Sequence, residues 1–199
     1  MSGRILRPLI LICLSVVASA CVVTRLDTEA EVAVPDGPVE VVGDQATGDV
    51  TVLGTGITGD TGWRLAAYPA TDGICLQVEL VTGNGGSGSA SCGPVEEDPP
   101  EPITRVGAGS GGGGMGHVDG IARSDVAEVW LQGVEGRRVP ATLHEMSGMD
   151  VDASVFFLIV PPGFQPESVV ALDADGGELG RADVSHAFRT SPQPATPAP

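Results

Sequence analysis

The residues best suited to chemistry in this chain are three histidines, His117, His144 and His186, which lie far apart in the sequence. No serine occurs in a G-x-S-x-G motif, and His144-Glu145 lacks the second histidine of an H-E-x-x-H zinc site. Catalytic triads assemble from distant residues, so a small hydrolase that uses His117 or His144 stays open as an alternative. The sequence favours binding over catalysis.

Closely spaced acids raise the question of calcium binding. Asp173, Asp175 and Glu178 surround an Ala-Asp-Gly-Gly segment, and Asp150 and Asp152 form a second pair. An EF-hand loop needs more ligands spread over about twelve residues, and Asp-Gly turn chemistry explains the first group equally well. We therefore predict neither a metal site nor a cofactor, and keep Asp173, Asp175 and Glu178 as weak metal candidates.

Two glycine-rich segments match the G-x-G-x-x-G pattern of nucleotide-binding loops, Gly54 to Gly59 and Gly107 to Gly112. That pattern binds phosphate only at the start of a helix, and neither segment precedes a helical pattern. The 26 acids and ten bases give a net charge of −16, which excludes the basic surface that a nucleic-acid binder needs. All ten bases are arginine, so chemistry that requires lysine is excluded as well.

The N-terminal segment has the organisation of an export signal. Arg4 and Arg7 precede an apolar or small run from Leu9 to Ala20, and no acid appears before Asp27. The run ends in Ala-Ser-Ala followed by Cys21, which resembles the lipobox of bacterial lipoproteins, although alanine stands where leucine is usual. The resemblance implies cleavage before Cys21, a diacylglycerol on that cysteine, and a location on the outer face of the cell membrane.

Two other interpretations of the leader remain open. Ordinary secretion through the Ala18-x-Ala20 site would leave Cys21 as an unmodified first residue. An uncleaved anchor from Leu9 to Val23 would span only about 22 Å, short of a hydrocarbon core of about 30 Å. Cleavage removes two arginines and no acid, so the net charge becomes −18. We expect a membrane-tethered protein whose further partner is an envelope protein or a small ligand.

The cysteines also fit an exported protein. Cys13 belongs to the leader and Cys21 is the lipidation candidate, which leaves Cys75 and Cys92 as a pair. An oxidising compartment permits a disulfide, and neither cysteine lies in a C-x-x-C motif or near a histidine in sequence. We predict a disulfide between Cys75 and Cys92 that joins neighbouring strands.

The pattern of apolar residues predicts an all-β protein. Valine is the commonest large apolar residue, and short alternating runs are separated by Gly-Asp, Thr-Gly and Asp-Gly turn signals. The predicted strands are 39–42, 49–53, 63–68, 74–82, 117–122, 127–132, 138–144, 154–160, 168–173 and 178–184. Such a series fits an antiparallel β-sandwich, and an immunoglobulin-like architecture is compatible with it, although the Cys-Trp-Cys spacing of that family is absent.

The predicted organisation has four parts. Residues 1–20 form the signal peptide, 21–38 a linker that begins at Cys21, 39–188 the sandwich, and 189–199 a disordered Pro-rich tail. Within the sandwich, 83–91 and the Pro- and Gly-rich segment 93–116 are predicted as loops, with 93–116 as the alternative boundary between two small β-units. Residues 155–160 are apolar on both faces and predict the central strand, whereas Pro140 predicts an edge strand.

Overall fold

The predicted fold class is confirmed: the protein is an antiparallel β-sandwich. The computed structural model describes residues 32–42, 46–83, 85–97, 99–110 and 116–188, so the predictions for the signal peptide, Cys21 and the tail lie outside the described residues. The strands are β1 (Thr51–Thr58), β2 (Thr61–Ala70), β3 (Gly73–Thr82), β4 (Gly85–Gly93), β5 (Ile103–Ser110), β6 (Gly116–Arg123), β7 (Glu128–Gly133), β8 (Arg138–Pro140), β9 (Thr142–Glu145), β10 (Ala153–Val160), β11 (Pro166–Leu172) and β12 (Glu178–Asp183). Two short 3-10 helices occupy Val134–Gly136 and Ser185–Phe188. None of the helices in these ranges is long and apolar enough to cross a membrane.

The strands form three four-stranded sheets. Sheet A has the order β1-β2-β3-β4, sheet B the order β5-β6-β10-β9, and sheet C the order β12-β11-β7-β8. Sheet B is the middle layer, because it contributes side chains to a core shared with sheet A and to another shared with sheet C. The sandwich therefore has three layers, whereas an immunoglobulin domain has two.

Strand β10 is central, as its sequence predicts. Its alternate residues face opposite cores: Phe156 and Leu158 pack toward sheet C, while Val155 and Phe157 pack toward sheet A. Phe156 is fully buried. The core between sheets A and B combines residues from β2 and β3 with residues from β10.

Two segments predicted as loops are strands. Residues 85–91 of the predicted loop 83–91 belong to β4 (Gly85–Gly93), which pairs with β3 over nine residue pairs without a bulge. Residues 103–110, within the predicted loop 93–116, form β5 and pair with β6. Glycine and serine have low β-propensity, but pairing with a neighbouring strand overrides it, since propensity is only a weak indication of sheet structure.

Several other strand predictions need correction. The first G-x-G-x-x-G segment lies mostly within β1, and residues 39–42 form no strand. The predicted strand 138–144 divides at Ala141 into β8 and β9, which lie at edges of different sheets, so the edge position predicted for Pro140 is confirmed. The predicted hairpin after Asp173 is confirmed by the pairing of β11 with β12.

Residues 32–42, here called the N-terminal strap, cover part of the outer face of sheet A. Arg64 donates hydrogen bonds to the carbonyl oxygens of Gly37 at 2.7 Å and Pro38 at 3.4 Å. Gln77 donates to the Glu40 carbonyl at 2.7 Å and accepts from the Val42 amide at 3.1 Å. Part of the predicted linker is thus packed against the sandwich, because buried polar side chains in β2 and β3 need hydrogen-bond partners.

Candidate functional site

A cleft opens between sheets A and B where the edge strands β4 and β5 face each other. The apolar core between these sheets takes no residue from β4 or β5, because the facing positions hold serine and glycine. The resulting cavity has a volume of about 170 Å³, and an adjoining one of about 70 Å³ shares His117 and Ser89 with it. We call this space the A/B cleft; its polar and glycine lining comprises Ser89, Ser91, Gly107, Gly109, His117 and Asp119.

His117 and Asp119 reach the cleft because they alternate along β6. Opposite them on β5 lie Gly109 and Gly107, respectively. A Cβ atom at Gly109 would lie 2.5 Å from Cε1 of His117, and one at Gly107 would lie 2.9 Å from Oδ1 of Asp119. The two glycines therefore leave the volume that the imidazole and the carboxyl group occupy.

The two side chains are almost completely buried. His117 is 5% exposed and Asp119 is 4% exposed, and Nε2 of His117 lies 3.6 Å from Oδ1 of Asp119. Burial lowers the pKa of His117 to about 4. Burial raises the pKa of Asp119 to about 6, and the positive charge of Arg105 partly opposes that rise. At pH 7 the imidazole is therefore neutral and the carboxyl group is largely ionised.

One nitrogen of His117 has no hydrogen-bond partner among the described residues. This atom, Nδ1, is inaccessible to solvent although the side chain lines the cleft. If the imidazole proton is on Nε2, the nitrogen that faces Asp119, then Nδ1 presents a lone pair. A buried acceptor without a partner costs free energy. Because Nδ1 is inaccessible, a donor in the cleft can reach it only if the imidazole moves.

Arg105 fixes the end of the cleft near the disulfide. It lies in the bulge of β5 with a φ of 50°, a left-handed conformation unusual for a residue other than glycine. Its guanidinium donates to the carbonyl oxygens of Ile74 at 2.8 Å, Gly93 at 3.2 Å and Ser91 at 2.6 Å. These bonds join β5 to β3 and β4 across the cleft, beside the Cys75–Cys92 pair.

His144 lies in the same layer but is separated from His117 by aromatic rings. The ring centroids of His117 and Phe157 are 6.3 Å apart, those of Phe157 and Trp63 are 4.8 Å apart, and those of Trp63 and His144 are 6.3 Å apart. Nδ1 of His144 lies 3.1 Å from the carbonyl oxygen of Leu53. Burial lowers the pKa of His144, and this hydrogen bond partly opposes the change. The structure therefore does not bring the two histidines into one site.

The two cysteines of the predicted disulfide lie within the described residues and are close together. The Sγ atoms of Cys75 and Cys92 are 1.97 Å apart, at disulfide distance, on directly paired positions of β3 and β4.

The weak metal candidates are engaged in local hydrogen bonds. Oδ1 of Asp173 accepts from the amides of Asp175 at 2.9 Å and Gly177 at 2.7 Å, and Glu178 forms an ion pair with Arg181 at 2.8 Å. Within the described ranges, no group of three or more His, Cys, Asp or Glu residues could hold a metal ion. Asp173 thus stabilises the hairpin turn.

Sequence reasoning missed Asp119 and Arg105. A signal for Asp119 was present, because positions 117 and 119 of the predicted strand 117–122 must face the same side of a sheet. Arg105 carried no such signal, since its orientation depends on a bulge that the sequence does not indicate. Comparison of the chain with protein-family models, curated proteins and solved structures finds no match.

Proposed function

We propose that this protein is a membrane-anchored extracytoplasmic lipoprotein that acts by binding a ligand in the A/B cleft. The binding role is carried by one observation: the cleft is lined by an almost completely buried carboxyl group, that of Asp119, beside a histidine whose pKa is lowered to about 4. The anchoring rests on the leader residues and on Cys21. A disulfide-distance cysteine pair is compatible with an oxidising compartment.

The proposed anchoring is tested by fractionation and by intact mass. We expect a mature chain that begins at Cys21, carries a diacylglycerol adduct and sediments with membranes. Cys21→Ala should abolish both the adduct and the membrane association. A Cys21→Ala protein that still sediments with membranes would contradict lipid anchoring and favour the uncleaved leader.

The proposed binding role is tested with a cleft-blocking variant. Ser89 is exposed on β4 and lines the cleft, so Ser89→Leu should fill the cleft without disturbing the core. We expect crosslinking in intact envelopes to give an adduct with the wild-type chain that is lost in Ser89→Leu. A crosslinking pattern unchanged by the substitution would contradict a role for the cleft.

A small hydrolase is the alternative function, and one feature favours it. His117 and Asp119 lie side by side in a cleft that also contains Ser89 and Ser91, the residue types of a catalytic triad. However, no hydrogen bond between described residues joins His117 to either serine, and its lowered pKa makes it a weak base. A panel of esterase, peptidase and glycosidase substrates tests this alternative, which requires activity that His117→Ala removes.

A further inference from the structure

We propose that the A/B cleft binds a small organic cation through its primary ammonium group, which contacts the Asp119 carboxylate. This inference rests on the proposed binding function and names the class of ligand. Three properties of the cleft support it: the charge of Asp119, the hydrogen-bond acceptors of the lining, and the apolar residues of β3 that complete it.

The negative charge of Asp119 is buried, and no cation among the described residues is bonded to it directly. Its neighbour His117 is neutral at pH 7, and the hydrogen bonds of the Arg105 guanidinium go to three backbone carbonyl oxygens. A buried carboxylate is costly unless it is paired and hydrogen-bonded. Arg105 compensates this charge only through space, so an ammonium group would add the direct contact.

The hydrogen-bonding groups of the cleft also suit an ammonium group. The carboxylate of Asp119 is an acceptor, and the hydroxyl of Ser89 can accept as well. An ammonium group has three donors and no acceptor, so it can satisfy acceptors on more than one wall of the cleft. A carboxylate or phosphate ligand would instead meet a lone pair and a negative charge.

The shape of the cleft and the net charge of the protein also suit a small organic cation. Leu76 and Val78 line the same cavity, and they suit the alkyl part of an amine. The adjoining cavity of about 70 Å³ continues past Leu80 toward Ser87, which leaves room for a short chain. The excess of acids over bases in the whole protein attracts cations to the cleft and repels anions.

The test compares n-butylammonium with n-butanol, which has nearly the same shape and no charge. The full chain in non-ionic detergent is titrated with each probe at pH 7.5 in 0.15 M NaCl, a salt concentration that screens long-range attraction. We expect saturable binding of n-butylammonium that is at least tenfold tighter than that of n-butanol. The ¹³C resonance of the Asp119 carboxyl group should shift on saturation, because this group gains donors.

Matched variants separate the cleft from the charge of the whole protein. Asp119→Asn should weaken n-butylammonium binding at least tenfold, whereas Asp72→Asn, which removes one charge at an exposed turn, should change it less than twofold. Ser89→Leu should abolish binding. Because Ser89 is exposed, this variant keeps the proposal testable if Asp119→Asn fails to fold.

Several results would overturn the inference. These are equal affinity for n-butanol, equal weakening by Asp119→Asn and Asp72→Asn, binding that survives Ser89→Leu, and the absence of saturable n-butylammonium binding. An exported, lipid-anchored protein whose cleft binds n-butanol equally well would contradict this inference alone. A chain that binds the amine but remains in the cytoplasm would contradict the proposed extracytoplasmic function and leave the ligand class supported.

Discussion

Removing Asp119 and removing His117 should change the pH dependence of stability in opposite directions. Burial raises the pKa of Asp119 from 3.8 to about 6, so the folded state binds this proton more tightly than the unfolded state. The stability that comes from this tighter proton binding is complete below pH 3.8 and is lost as the pH rises through about 6. The pKa of His117 falls from 6.5 to about 4, so the folded state binds this proton less tightly than the unfolded state. The stability that comes from the neutral imidazole is complete above pH 6.5 and is lost as the pH falls toward 4.

The two effects are similar in size. Each pKa changes by roughly two units, and one unit corresponds to about 1.4 kcal/mol, so each group contributes about 3 kcal/mol across the interval from pH 4 to 6.5. Because the signs are opposite, the two contributions largely cancel in the wild-type protein. Each single variant should expose the contribution of the residue that remains.

The assay is urea unfolding at half-unit pH intervals between 4 and 7, followed by tryptophan fluorescence. Relative to wild type, the free energy of unfolding of Asp119→Asn should rise by up to about 3 kcal/mol as the pH increases from 4 to 6.5, whereas that of His117→Gln should fall by a similar amount. Subtracting the wild-type curve removes the titration of the other acids. Curves of the same sign, or changes below about 0.5 kcal/mol in both variants, would refute the reasoning.

Three further substitutions test other parts of the structure. Gly109→Ala should displace the imidazole of His117, because the added Cβ would lie 2.5 Å from Cε1, and should lower stability by about 1–3 kcal/mol, as measured by urea unfolding. Replacing Cys75 and Cys92 with serine should cost about 3 kcal/mol in the same measurement, the value for a loop of this length. Arg64→Met should release the N-terminal strap and leave the partly buried Glu79 without its ion-pair partner, so we expect faster proteolysis within residues 32–42 and a loss of roughly 1.5–3 kcal/mol.

Each of these substitutions has a matched control in the chain. Gly86→Ala adds a Cβ whose nearest neighbour is 3.5 Å away, so its stability should change little; an equal loss would contradict the steric argument. Reducing agent should lower wild-type stability as the double serine variant does, and no effect of either would contradict a structural disulfide. Arg181→Met removes an exposed ion pair with Glu178 and a hydrogen bond to Ser168, and its stability should fall less than that of Arg64→Met. Proteolysis of the strap that is equal in the Arg64 and Arg181 variants would argue against the strap contacts.

The sequence predicted the strands whose side chains form the two hydrophobic cores. The two-sided apolar run of β10 and the one-sided alternation of β3 are visible in the residues themselves, because each face must match its surroundings. Strand β4 could not be predicted in this way, since Gly-Gly-Ser-Gly-Ser-Ala-Ser lacks both propensity and pattern. It becomes a strand because β3 offers it nine consecutive partners, which only the tertiary structure supplies.

The role of the glycines in the cleft also could not be predicted from the sequence. The sequence indicates His117 as a candidate, whereas Gly107 and Gly109 belong to the segment that was predicted as a loop. In the structure those glycines are strand residues that make room for His117 and Asp119. The two glycines matter because they leave space for other side chains. Which side chains fill that space is known only once the register of β5 and β6 is known.

The attachment of the N-terminal strap has a mechanical consequence. The side chains of Arg64 and Gln77 bind residues 37–42 to the outer face of sheet A. Tension applied at the N-terminus, as a lipid tether on Cys21 would apply it, reaches these few bonds before it reaches any strand of the sandwich. We expect the strap to detach from sheet A under such tension before any sheet unfolds, because few hydrogen bonds hold it.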